Sequence, residues 1–141
     1  MRYIIVRTAL VTAVAGLLVG GGRLAAHHSF AAEFDAAKKI ELTGKVTKVE
    51  WTNPHVWVYL NVTDKTTGVV SNWGFEMGPP HGLQRRGWRR ETLKIGDEVS
   101  VKGSMAKNGS KRMNASTVTL TSTGGRPGET LDAQSSQGVN P

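Results

Sequence analysis

The stretch His55-Val56-Trp57-Val58-Tyr59-Leu60-Asn61-Val62, read against Trp73-Gly74-Phe75-Glu76-Met77, decides the fold. Both alternate with a period of two, the pattern of strands that bury one face and turn the other outward. Pairing Trp73, Phe75 and Met77 with Leu60, Val58 and Val56 gathers six apolar side chains on one face. A slip of one residue would turn Asn72, Gly74 and Glu76 inward and lose that core. The first register is therefore expected. It points His55, Trp57, Tyr59 and Asn61 outward, with Glu76 opposite Trp57 and Gly74 opposite Tyr59. It also brings His55 to the end of the third strand, near His81.

Upstream, Ile40, Leu42, Gly44 and Val46 alternate with polar residues before the phase shifts to Val49 and Trp51. A phase slip beside a glycine predicts a bulge in a strongly bent first strand. Asn53-Pro54 marks a turn. Downstream, Asp97 to Met105 carries Val99 and Val101 as a fourth strand, Asn108-Gly109 signals a tight hairpin, and Arg112 to Thr121 forms a fifth. Between strands three and four, Pro79-Pro80 at the start and Gly87 at the end frame a short helix. With Gly87 in the left-handed position past the helix, Leu83 and Trp88 occupy the two places that touch in a Schellman motif. The expected class is mainly β: a small five-stranded OB-like barrel with one short helix between strands three and four.

The chain has 141 residues, 17 of them Gly, and no Cys, so neither a disulfide nor a thiolate ligand is available. Arg2 and Arg7, the apolar run Ala9–Val19 and the small residues up to Ala26 have the form of a secretory signal. The division read from the sequence is a signal peptide over 1–26, a barrel domain over 27–121 and a disordered tail over 122–141. That last stretch is rich in Gly, Ser and Gln and poor in large apolar side chains. Removing the leader takes away three arginines and no acid, lowering the net charge from +7 to +4. Such a charge serves solubility and does not imply nucleic acid. An exported location, periplasmic or extracellular, follows, with membrane attachment only through an uncleaved leader.

Three groups of side chains are candidates for function. Trp57 and Tyr59 form an outward aromatic platform beside Gly74, with Glu76 as a polar neighbour; on an OB-type barrel strands two and three carry the usual ligand face. The same platform is equally well explained as a second small core, covered by the helix, the N-terminal arm or a partner. His27 and His28, first in the mature chain after cleavage at Ala26, would chelate Cu(II) through amine, amide and imidazole, with His55 and His81 completing the site and Met77 nearby if it turns outward. Arg85, Arg86, Arg89 and Arg90 offer a basic cluster for an acidic polymer, or a solvated face at a helix end. Neither a nucleophile elbow nor a phosphate-binding glycine loop occurs, and no two carboxylates can be paired around a scissile bond. A non-catalytic binding module for a small ligand or an envelope protein is expected.

His27-His28-Ser29-Phe30, Glu50-Trp51-Thr52-Asn53-Pro54-His55, Arg85-Arg86-Gly87-Trp88 and Leu93-Lys94-Ile95-Gly96-Asp97 occur in that order. Over residues 27–121 the chain thereby resembles a group of small exported bacterial proteins, domain-of-unknown-function family 6152. The resemblance implies an exported β-rich domain and carries no activity or site residue with it.

Overall fold

The valines and leucine of the deciding stretch do turn inward. In the computed structural model, which describes residues 30–121 and 128–134, Val56, Val58 and Leu60 are buried with Phe75 and Met77. Removing each such side chain from water contributes roughly 1.5–3 kcal/mol. The described elements are α1 (Phe30–Glu33), β1 (Phe34–Glu50), β2 (Trp57–Thr63), β3 (Val70–Glu76), α2 (Pro80–Arg85), β4 (Glu98–Ala106), β5 (Arg112–Leu120) and β6 (Thr130–Asp132). The protein is mainly β, with one sheet in the order β3-β2-β1-β4-β5-β6 and a further parallel pairing between β3 and β5.

The β2–β3 register is the expected one: Trp57 faces Glu76, Val58 faces Phe75, Tyr59 faces Gly74 and Leu60 faces Trp73. Val56 and Met77 extend the ladder, Met77 N–H donating to Val56 O at 2.8 Å. Trp73, at the open end of the ladder, is only half-buried.

β1 is long because it serves two partners, β4 through residues up to Lys45 and β2 from Lys45 onward. Gly44 sits at this handover, where a Cβ would lie 2.5 Å from the Asn61 carbonyl oxygen. The expected bulge follows it, as a register shift between Val46 and Lys48. There the Leu93-to-Asp97 turn docks: Gly96 N–H donates to Val46 O and Val46 N–H to Asp97 O, both at 2.8 Å.

α2 ends as a Schellman motif. Trp88 N–H donates to Leu83 O at 3.1 Å and Gly87 N–H to Gln84 O at 3.2 Å, with Gly87 at φ +91°. Leu83 and Trp88 are both buried in the core.

Two expectations need correction. The sheet has a sixth strand, β6, within the stretch expected to be a disordered tail. It pairs with β5 from Thr117↔Asp132 to Thr119↔Thr130, and Leu131 and Ala133 are buried. Few apolar side chains were needed, because acceptors and donors elsewhere capture its backbone. Trp88 Nε1–H donates to Asp132 O at 2.7 Å and Gly78 N–H to Ala133 O at 3.0 Å. The second correction is to the single expected helix: a further short helix, α1, precedes β1, with the Phe30 and Phe34 rings stacked 5.8 Å apart across their junction. The expected leader, residues 1–26, lies outside the described residues. Among the described residues no helix is long and apolar enough to cross a membrane.

Candidate functional site

The outward side of β2 is read across four strands. Lys48 and Glu50 of β1 pair with Tyr59 and Trp57 of β2. These pair with Gly74 and Glu76 of β3, which in turn face Arg112 and Asn114 of β5. Two parallel rows result, Lys48-Tyr59-Gly74-Arg112 and Glu50-Trp57-Glu76-Asn114.

Trp57 and Tyr59 are each partly exposed and lie over Gly74. A Cβ on that glycine would be 3.3 Å from Tyr59 Cε1 and 3.6 Å from Trp57 Cε3. The rings are held at both sides. Tyr59 Oη donates to Glu50 Oε2 at 3.1 Å, Lys48 Nζ pairs with Glu50 Oε1, and the same ammonium lies 5.4 Å from the Tyr59 ring centroid. On the other flank the Arg112 guanidinium lies 5.5 Å from the Trp57 centroid, a cation–π arrangement. Hydrogen bonding to Glu50 holds the Lys48 ammonium above its ordinary range, and the reciprocal bond holds the Glu50 carboxyl below its own. Burial chiefly pushes the Tyr59 hydroxyl up, so it stays a neutral donor. The Lys48–Glu50 pair is on the surface and adds little to stability. Its effect is to fix the ring.

Glu76 is not an open surface carboxylate, as the sequence had led us to expect, but 6% exposed. His55 Nδ1 meets its Oε1, and the Asn114 side chain hydrogen-bonds it from β5. Burial is the main cause of a raised Glu76 pKa, with His55 opposing and Glu33 reinforcing the shift. The buried acid thus lies beside Trp57 in the same outward row, engaged by His55 and Asn114.

The histidine set does not assemble among the described residues. His55 is committed to Glu76, His81 is exposed on α2, and Met77 is fully buried in the core, unable to turn outward. No group of three or more potential ligand side chains that could hold a metal ion occurs among the described residues. His27 and His28 lie outside them.

The arginine cluster divides. Arg86 donates to Gln134 O and pairs with Asp132 Oδ1 at 3.6 Å, tying β6 to α2. Arg89 donates to Trp88 O at 3.0 Å at the end of α2, while Arg85 and Arg90 are exposed. Gly87 breaks the helix between the pairs, so the four do not form one helical face.

Sequence reading missed Lys48, Glu50, Arg112 and Asn114 as parts of the site. Each belongs to it only through register with a neighbouring strand. The period-two outward phase of β1 after its bulge was the signal available for Lys48 and Glu50; no local signal places β5 beside β3.

Fold and site define a small β-sheet domain that carries an ordered aromatic row, framed by charges, on one outer face. The chain matches the model of a family of unknown function (DUF6152) over residues 15–115, and it belongs to that family. The match begins within the expected leader rather than at residue 27. No curated protein and no solved structure matches the chain.

Proposed function

We propose that this protein is an exported, non-catalytic binding module built on a closed OB-like barrel, with the Trp57–Tyr59 face as its recognition surface. The circuit of pairings from β1 through β2, β3, β5 and β4 back to β1 supports the barrel reading. The leader-like residues 1–26 support export.

One observation carries the binding reading. Two large rings stay partly exposed side by side above Gly74, each clamped by a cation. Rings fixed before a ligand arrives lose little freedom on binding, which is what a stacking platform requires. The fitting ligand has a flat apolar face to lie on the rings and polar groups for Glu50 and Arg112. The docking of an envelope protein has one observation of its own: Val69 and Val70, at the tip of the β2–β3 hairpin, are 60% and 56% exposed. Binding of an acidic polymer is weakened by the internal use of Arg86 and Arg89, and copper binding rests on His27 and His28.

Native mass spectrometry of the protein purified from the envelope fraction of its own cells tests this reading. A chain lacking residues 1–26, carrying a retained mass that Trp57→Ala loses, is expected. A full-length chain, or a retained mass indifferent to Trp57, would contradict it.

A further inference from the structure

We propose that the cleft between α1 and the β4–β5 turn is a second binding site, and that it takes a small organic monocarboxylate. The cleft holds about 320 Å³. That is at the lower end of the range of ligand pockets, roughly 300–1,000 Å³, and so suits a small molecule. Its wall combines an apolar part, Phe34 with neighbouring alanines, and a polar part, Lys107, Asn108, Ser110 and Arg112.

Three features select the ligand. First, the Ser110 hydroxyl oxygen is buried without a hydrogen-bond partner among the described residues, although Ser110 lines the cleft. A buried polar group normally finds a partner, and a ligand oxygen in the cleft would supply it. Second, Arg112 brings a planar fork that matches the two oxygens of a carboxylate. Lys107 adds an ammonium, of which one proton is used on Ala31 O, leaving two donors. Third, Glu33 also lines the cleft, so the formal charges there leave a single net positive charge. This matches a monoanion and disfavours a phosphate dianion, and the Phe34 wall favours an organic body over an inorganic ion.

The turn is built to hold these groups still. Ser110 N–H donates to Asn108 Oδ1 at 3.0 Å, and Arg112 N–H donates to Ser110 O at 2.8 Å. Lys107 N–H donates to Glu33 O at 2.9 Å, stitching α1 to the turn.

Titration of the whole protein with butyrate, a monocarboxylate with no flat face for the Trp57–Tyr59 platform, followed by backbone amide shifts, tests the site, with inorganic phosphate at equal ionic strength as the second arm. Saturable binding is expected, with shifts centred on Lys107 and Ser110 rather than on Trp57 and Tyr59. Arg112→Gln is expected to weaken it by about 10-fold, the loss of one charge-assisted contact, and Ser110→Ala by roughly 5-fold. Lys107→Gln gives an independent reading should Arg112→Gln fold poorly. Lys111→Gln, outside the cleft lining, is expected to leave butyrate affinity unchanged. A non-saturable response, equal affinity for phosphate, or indifference to Ser110→Ala and Lys107→Gln would overturn the site. Those results would leave the aromatic-face reading standing, because that reading fails at Tyr59 and Trp57 instead.

Discussion

His55 Nδ1 meets Glu76 Oε1 at the end of the β2–β3 ladder, and the carboxylate it holds is buried beside Trp57 on the same face of the sheet. Burial raises the Glu76 pKa, so the folded chain holds that proton more tightly than the unfolded chain. Stability therefore falls as pH rises from the ordinary glutamate range through the raised one, and stays lower above it. Glu76→Gln keeps the shape and removes the charge. Urea unfolding across pH is expected to give this variant a flatter profile and at least wild-type stability at neutral pH. Glu76→Ala leaves Asn114 and His55 without their partner and is expected to cost about 1–3 kcal/mol relative to Glu76→Gln. A wild-type profile that rises through this window would show that His55 outweighs burial.

The Trp88 indole ties the end of α2 to β6 through Asp132 O. Trp88→Phe removes the donor while keeping most of the ring, at an expected cost of roughly 1–3 kcal/mol. Hydrogen exchange is the discriminating readout. The amides of Gly78 and Ala133, which close the same junction, are expected to lose protection ahead of the β1–β4 ladder. Equal loss everywhere would mean β6 is no separate cooperative unit.

Gly44 leaves room for the Asn61 carbonyl at the point where β1 changes partners. Gly44→Ala sets a methyl against backbone that cannot swing aside, and about 1–3 kcal/mol of destabilisation is expected from overpacking. Gly74→Ala meets only ring edges, so thermal unfolding is expected to show a smaller loss there than at Gly44. The reverse order would place the bend elsewhere.

Much of the sheet was legible because alternation is a local signal. Val58 and Leu60 against Phe75 and Trp73 left a single register that made a core, and the slip after Gly44 marked the bulge. β6 was not legible, since its place depends on an indole and an arginine some 44 or more residues earlier in the chain. The motif residues behind the family resemblance turn out to be mainly architectural where they are described. Gly87 and Trp88 close α2, Gly96 and Asp97 dock on Val46, and Trp51 lies in the core. The site was half legible: Trp57 and Tyr59 could be placed outward, whereas the burial of Glu76 required knowing that Asn114 stands beside it.

The separation of the four arginines bears on polymer binding. Arg85→Ala with Arg90→Ala is expected to change stability by no more than about 0.5 kcal/mol, as exposed sites do. Heparin retention of that variant is expected to match wild type. Arg86→Ala is expected to loosen β6 instead, seen as faster exchange at Ala133. Earlier elution of the double variant with strong salt dependence would restore the acidic-polymer reading.

The central claim is that the row over Gly74 recognises a ligand. An amide-shift screen of the isotopically labelled protein against a library of small flat-faced molecules tests it most directly, repeated on Trp57→Ala. Binders whose shifts gather on Trp57 Nε1–H, Tyr59 and Gly74, and which the variant no longer takes, are the expected result. A screen in which no binder maps to this face, or in which those that do are taken equally well by Trp57→Ala, would contradict it.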